Sequence, residues 1–280
     1  MQVTEIYIHP VKSMRGVAVD GAELTPSGLK GDRKFAVIQR KSARVLTARE
    51  RPVMVGIIPS FDDAGQLTLS YQDQSVTVEG GFGETGGSYK IWDDHISAAT
   101  TEGQVSEFLS DITGVDCYLA QSTTESKRHG ALTVFPDTFV DLSPLLITTE
   151  QSLEDLNSHL DSPINHRHFR PNIVIGGLDQ AYAEDKWDQF AIGDIAMEIL
   201  MGCIRCSIPD VDVDRFKQNK AMPVAAALKK TRQGPDRRLY FGQNARALTS
   251  GFIQVGDPVS VKTRRDSQIL HEASKQIYAK

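Results

Sequence analysis

The first third of this chain is built from runs of four to six residues, each closed by a turn signal. Residues 66–71 (Gln-Leu-Thr-Leu-Ser-Tyr) and 75–79 (Ser-Val-Thr-Val-Glu) alternate apolar and polar. That period of two is the mark of a half-buried strand. Further β-rich runs occur at 3–8, 35–39 and 53–58. Between them stand Pro26-Ser-Gly28, Gly31-Asp32, Asp62-Asp-Ala-Gly65 and Gly80-Gly-Phe-Gly83, all turn chemistry. Many short strands with frequent turns predict a barrel or sandwich, not an alternating βαβ series.

Later segments mix in a few helices. Within residues 101–112, Val105, Phe108, Leu109 and Ile112 fall on one helical face, and Gly114 supplies a stop. A strand is expected at 117–120 and an exposed polar loop at 121–130. Thr148 and Gln151 have capping-box spacing ahead of Leu153 and Leu156, which predicts a helix start. Residues 172–175 are β-branched, and 190–201 read as a hairpin turning at Gly193-Asp194. Residues 222–230 are Ala/Leu-rich and helical, 252–261 return to β, and 267–279 form an amphipathic helical tail. The class is β-dominated α+β.

At 280 residues with 40% hydrophobic content, the chain can bury one large core or two small ones. Its net charge of −5 excludes a general nucleic-acid binder but not a local basic pocket. Cysteines number three: Cys117, Cys203 and Cys206. That count builds no disulfide framework and fits a reducing compartment. The opening shows no basic region followed by an apolar one, and no apolar run approaches the roughly 20 residues of a membrane helix. The expectation is a cytoplasmic chain without a membrane partner.

Three short motifs carry candidate chemistry. Cys203-Ile-Arg-Cys206 is half of a zinc site with no second pair. As a redox pair it should open a helix, but Ser207-Ile-Pro209 and the acidic run to Asp214 follow. Two readings remain: partly buried thiols at a strand end, or one thiolate on a soft or borderline metal with Arg205 beside it. In Phe169-Arg-Pro-Asn172, Pro171 holds its neighbours extended, which sets Arg170 and Asn172 on one side. Such a face suits a planar heterocycle or an oxyanion, and equally an ordinary surface ion pair. Lys12, Ser13 and Arg33 lie at predicted strand ends, where they either grip a phosphate or are simply solvated. No P-loop, dinucleotide-binding or nucleophile-elbow motif occurs.

Taken in order, these pieces resemble the MOSC family. Ile6-Tyr-Ile-His-Pro-Val-Lys-Ser13, Gly28-Leu-Lys-Gly-Asp-Arg33 and Val45-Leu-Thr-Ala-Arg49 are similar to its N-terminal β-barrel domain. Phe169-Arg-Pro-Asn-Ile173, Trp187, Ile192-Gly-Asp194, Cys203-Ile-Arg-Cys206 and Val255-Gly-Asp-Pro258 are similar to the MOSC domain itself. Within the family the likeness is to the amidoxime-reducing components. The resemblance implies an N-terminal MOSC β-barrel-like domain at 1–120, a MOSC β-barrel domain at 121–262 with a few flanking helices, and a helical tail at 263–280. It implies a molybdenum cofactor, a metal held by a pterin dithiolene and by Cys206. Lys12, Ser13, Arg33, Thr149, Arg170 and Asn172 would hold the cofactor, whose phosphate explains a basic cluster in an acidic chain. The implied reaction is reduction of small N-hydroxylated compounds: amidoximes, hydroxylamines or N-hydroxylated base analogues. Arg205 or Arg170 would stabilise the oxygen being removed. Three cysteines cannot supply a Cys₄ cluster. Electrons would therefore come from a separate ferredoxin-, flavodoxin- or cytochrome b5-type donor. The alternative is a carrier of the cofactor, or of sulfur, without turnover. One departure stands out: Pro209-Asp-Val-Asp-Val-Asp-Arg-Phe216 lacks the threonines, proline and turn glycine usual after the family's second cysteine.

Overall fold

The computed structural model describes residues 1–62, 64–83, 87–123, 127–129, 134–136 and 138–265. The expected helix at 267–279 lies outside them. Strands dominate, with three α-helices among the described residues: α1 (Gln104–Thr113), α2 (Glu150–Asn157) and α3 (Pro223–Thr231). None of these is long and apolar enough to cross a membrane.

A five-stranded closed barrel is built from Gly87–Ile91, Asp94–Thr101, Cys117–Ser122, Phe35–Gln39 and Arg44–Val45. Its interior holds Ala36, Ile38, Tyr89, Ile96, Tyr118 and Phe139. An eight-stranded sheet runs in the order Val17–Val19, Gln2–Ile8, Ile173–Gly176, Leu145–Thr149, Leu239–Ala247, Ile195–Arg205, Gln189–Ile192, Val259–Val261. Its core is an aliphatic cluster around the fully buried Trp187 and Phe190. The first strand of the chain pairs antiparallel with Ile173–Gly176. Hydrogen bonding therefore joins the start of the chain to its second half, and the loop leaving that strand bonds to the barrel strand Phe35–Gln39.

Most local expectations match. The hairpin Gln189–Ile192/Ile195–Arg205 turns at Gly193-Asp194, with Ile192 opposite Ile195. Helix α1 ends on Gly114 in the left-handed conformation, the αL stop that glycine supplies without strain. Four expectations are corrected. Residues 53–56 are not strand: Pro52 at the first helical position starts a 3₁₀ turn over Pro52–Gly56, and the strand begins at Ile58. The polar stretch 121–130 is not all loop, because Cys117–Ser122 continues into it and Lys127–His129 pairs with Val134–Pro136. The cap of α2 is Thr149 rather than Thr148; its Oγ1 accepts from the Ser152 N–H. Finally, Arg170 is not extended but left-handed, at φ 58°, so Pro171 does not place it beside Asn172 as neighbouring strand residues would be.

Candidate functional site

The loop from Pro10 to Ser13 is stitched to the barrel and, through His9, to the sheet. Lys12 N–H donates to Phe35 O (2.8 Å) and Phe35 N–H to Pro10 O (3.0 Å). Arg33 N–H donates to His9 O (2.7 Å), and Phe139 N–H to Arg33 O (2.7 Å). These backbone bonds bring Lys12, Ser13 and Arg33 together with the 139–141 segment. Arg170 and Asn172 arrive from the sheet side through the same cluster.

Three of these residues share an unusual backbone. Ser13 (φ 69°), Arg33 (φ 47°) and Arg170 (φ 58°) all lie in the left-handed region. A side chain with a Cβ is uncommon there and costs of order 1 kcal/mol or more. Three strained, converging polar residues are how folded proteins hold a ligand in a fixed geometry.

Arg33 lies at the centre. Its Nη1 donates to Asp32 Oδ2 (2.5 Å) and Asn172 Oδ1 (3.0 Å), and its Nη2 to Arg170 O (3.2 Å). Asn172 is 1% exposed. Its Oδ1 also accepts from Leu146 N–H (3.1 Å), and its Nδ2 donates to Tyr7 O (3.3 Å). Asn172 therefore braces Arg33 and the two strands beside it, and both acceptor sites of its oxygen are filled. Arg170 donates through Nη1 to Met14 O, while its Nη2 is buried without a hydrogen-bond partner. Burial, with Arg33 alongside, lowers its pKa. An arginine stays protonated all the same, so this guanidinium is a desolvated cation with an open donor, built to meet an anion or a carbonyl-like edge.

Beneath it, His9 is buried and its Nε2–H donates to Pro171 O at 2.9 Å, since a carbonyl can only accept. Burial, then the charges of Arg33 and Arg170, push its pKa well below the usual imidazole range. His9 is thus neutral. Gly16 is needed beside it, because a Cβ there would stand 2.5 Å from His9 Cε1.

Cys206 is exposed, at the end of the long strand Ile195–Arg205, whose pairing carries two register shifts near Met201 and Ile204. Such bulges re-aim side chains. Arg205 does not stand beside the Cys206 sulfur, as the sequence suggested. Residues two apart on a strand share a face, and Arg205 accordingly reaches Cys203: Nη1 is 2.9 Å from its Sγ, Nη2 donates to Phe169 O (2.7 Å), and Cζ lies 4.9 Å over the Phe169 ring. The cation at Cys206 is instead Arg49, whose Nη1 is 3.8 Å from the sulfur.

Arg49 leads to residues that the sequence did not single out. Its guanidinium stacks 4.2 Å over Trp92. The Trp92 indole N–H donates to Asp141 Oδ1 (2.6 Å), which also pairs with Lys12 Nζ (2.5 Å). Lys12 Nζ donates to Phe139 O (2.8 Å) as well. Arg49 belongs to the Val45–Arg49 motif, so a signal for it was present. Asp141 sits in no motif. Thr149 is the predicted residue set apart from this group. It is fully buried, and its hydroxyl lies 2.7 Å from Ser152 Oγ and 3.1 Å from Glu184 Oε1. It serves the α2 cap and the buried Glu184.

The arrangement fits a particular kind of ligand: a soft metal for an exposed thiol, joined to an anionic or polar body for the Arg170–Arg33–Lys12 cradle. Among the described residues, no cluster of three or more His, Cys, Asp or Glu side chains could hold a bare ion. Any metal here would need ligands of its own.

Residues 1–116 match the MOSC N-terminal beta barrel domain and residues 134–260 the MOSC domain. The mitochondrial amidoxime-reducing component 1 of Homo sapiens is 32% identical, over 92% of this chain and 82% of that protein. The chain belongs to the amidoxime-reducing component family. The mitochondrial amidoxime reducing component 2 of Homo sapiens is 30% identical over the same shares, and that of Bos taurus 28%. Lys12-Ser13, Arg33, Arg170–Asn172 and Cys206 come from segments up to 194 positions apart; Arg33, Asn172 and the Arg170 backbone are joined by hydrogen bonds, Cys206 is linked to Lys12 through Arg49, Trp92 and Asp141, and Thr149 stands apart.

Proposed function

We propose that this member of the amidoxime-reducing component family is a molybdenum-dependent reductase of small N-hydroxylated compounds, with Cys206 as the protein ligand to the metal of a pterin cofactor. The observation that carries the assignment is the exposed Cys206 thiol, linked through Arg49, Trp92 and Asp141 to Lys12, together with the buried Arg170 Nη2 that has no partner. The cofactor, when bound, supplies the two-electron chemistry that breaks the N–O bond, and two protons complete the amine or amidine and water.

The chain's own residues bind and orient. Cys206 offers a soft sulfur ligand. Arg170 and Ser13 present donors to the cofactor body, and Lys12 and Arg33 add positive charge for its phosphate. Asn172 and Asp32 hold Arg33 in place. Arg205 fixes Cys203 and Phe169, which shapes the strand end that carries Cys206. Arg49 keeps a cation at the Cys206 sulfur. Electrons enter from a separate protein of ferredoxin, flavodoxin or cytochrome b5 type.

Elemental analysis of purified wild type, Cys206→Ser and Cys203→Ser tests the ligand assignment. Molybdenum is expected near one equivalent in wild type and Cys203→Ser, and lost in Cys206→Ser. Retention in Cys206→Ser would refute it. Wild type reduced by an artificial donor should convert benzamidoxime to benzamidine; failure to do so with molybdenum bound would sink the reductase reading.

A further inference from the structure

The chain is acidic, yet one stretch of it is not. Residues 40–51 carry Arg40, Lys41, Arg44, Arg49 and Arg51 against a single acid, Glu50. The barrel turns part of this charge outward. Val45, Tyr89 and Ile91 fill its interior, so strand parity puts Arg44 and Lys90 outside. The two are paired on adjacent strands and both are exposed. Lys90 N–H also donates to Ala43 O (2.9 Å), in the turn that carries the exposed Lys41. Arg40 is matched by Glu102 and Asp116, whereas Arg44 meets Glu50 only at 3.8 Å. With Asp93 and Asp94 counted in the next turn, Lys41, Arg44, Arg49, Arg51 and Lys90 still leave the strip positive.

Trp92 ends this strip. It takes the first position of the two-residue turn between Ile91 and Asp94, with φ 57°, and is 53% exposed. That turn position favours glycine, asparagine or aspartate, so neither local propensity nor burial accounts for a large aromatic there. Asp141 accepts the indole N–H at 2.6 Å, and Arg49 covers one face at 4.2 Å. The open face is the opposite one, and it looks away from Cys206. On the covered side Arg49 reaches to 3.8 Å from the Cys206 sulfur. With one C–N bond between the guanidinium carbon and Nη1, the ring centre stands within about 10 Å of that sulfur. Bond making cannot cross such a gap, but an electron can.

We propose that the outward face of Trp92 and the Lys41–Arg44–Lys90 strip form the docking surface for the electron donor, and that this donor is an acidic one-electron protein. The inference rests on the reductase reading above. A rigid, half-exposed tryptophan backed by an arginine is the residue pair that anchors interfaces, and the surrounding cations steer a partner of opposite charge. Reducing an N–OH group to N–H and water breaks the N–O bond with two electrons and two protons. A one-electron carrier therefore docks twice per turnover, and solvent supplies the protons.

The test compares protein donors with saturating reduced methyl viologen, using the cofactor-loaded protein and benzamidoxime. The donors are a plant-type ferredoxin, a flavodoxin and a cytochrome b5, each reduced beforehand. The triple variant Lys41→Glu, Arg44→Glu, Lys90→Glu alters only exposed charges and is expected to fold. It should lower the second-order rate constant for the best protein donor at least about tenfold, while viologen-driven turnover changes less than about twofold. Raising salt from about 0.05 M to about 0.5 M should slow the wild type and leave the variant little changed. Trp92→Ala should lower the donor rate about three- to tenfold relative to viologen-driven turnover, and Trp92→Phe should restore most of it. Donor rates that ignore both salt and charge reversal would overturn the proposal. So would three protein donors that all fail while viologen drives turnover. Unchanged donor rates with lost binding to phosphatidylserine vesicles would assign the strip to a lipid surface, and overturn it too. A molybdenum-loaded wild type that reduces nothing even with viologen would instead defeat the reductase reading. Calorimetric binding of oxidised ferredoxin to wild type and the triple variant would still judge the surface: binding lost in the variant supports it, and equal binding refutes it.

Discussion

The sequence pattern led to the expectation that Asn172 holds the cofactor, yet its geometry makes it a brace, and Asn172→Ala separates the two roles. In the native protein its Oδ1 accepts from Leu146 N–H (3.1 Å) and Arg33 Nη1 (3.0 Å), and its Nδ2 donates to Tyr7 O (3.3 Å). Truncation leaves the Leu146 N–H buried without an acceptor, a loss of about 1–3 kcal/mol. Arg33 keeps Asp32 and Arg170 O, so its loss is smaller. The Tyr7 bond is long and adds little. A void of three heavy atoms at a site only 1% exposed adds about 1 kcal/mol more. The sum is roughly 2–4 kcal/mol, which for a chain of this size lowers Tm by roughly 5–12 °C. Thermal unfolding of the cofactor-free protein, followed by dye fluorescence, reads this directly. If cofactor-free Asn172→Ala melts within about 1 °C of wild type while molybdenum content is lost, Asn172 is a ligand contact and the bracing argument is wrong. A companion cycle with Arg33→Met should show non-additivity above about 0.5 kcal/mol, as expected of residues in one network.

Other expectations follow from neighbouring geometry. Gly16→Ala places a methyl 2.5 Å from the buried His9 ring, and overpacking should lower stability by about 1–3 kcal/mol in urea unfolding; an unchanged midpoint would mean that the loop yields freely. Burial lowers the pKa of His166 to about 4. The unfolded imidazole, at its ordinary value, takes up a proton as pH falls below about 6.5 while the folded one stays neutral, so stability falls as pH drops from 6.5 towards 4. Between pH 7 and pH 5 this one residue removes about 2 kcal/mol, and His166→Asn should flatten that part of the urea midpoint–pH curve; an unaltered slope would refute the assignment. Arg205→Lys breaks the fork shared between Cys203 Sγ and Phe169 O and should lower Tm by a few degrees with molybdenum retained; loss of the metal at unchanged Tm would return Arg205 to the metal site.

The sequence determined what is local. Period-two alternation marked the strands 67–71 and 74–77, the Gly193-Asp194 turn set the hairpin, and Gly114 stopped α1, because periodicity and turn chemistry act over a few residues. It also named most of the cradle, since Lys12, Ser13, Arg33 and Arg170 lie in short motifs at chain reversals. What it could not decide was direction and distance. Strand parity turned Arg205 to Cys203, and the left-handed backbone at Arg170 undid the extended geometry expected before Pro171. The cation at Cys206 comes from Arg49, 157 positions away, and Trp92 is tied to Asp141 across 49. No local pattern encodes those meetings. They arise only when the barrel closes against the sheet and brings the loops between them together, so the proposed metal ligand is legible in a four-residue motif while its electrostatic surroundings belong to the tertiary fold.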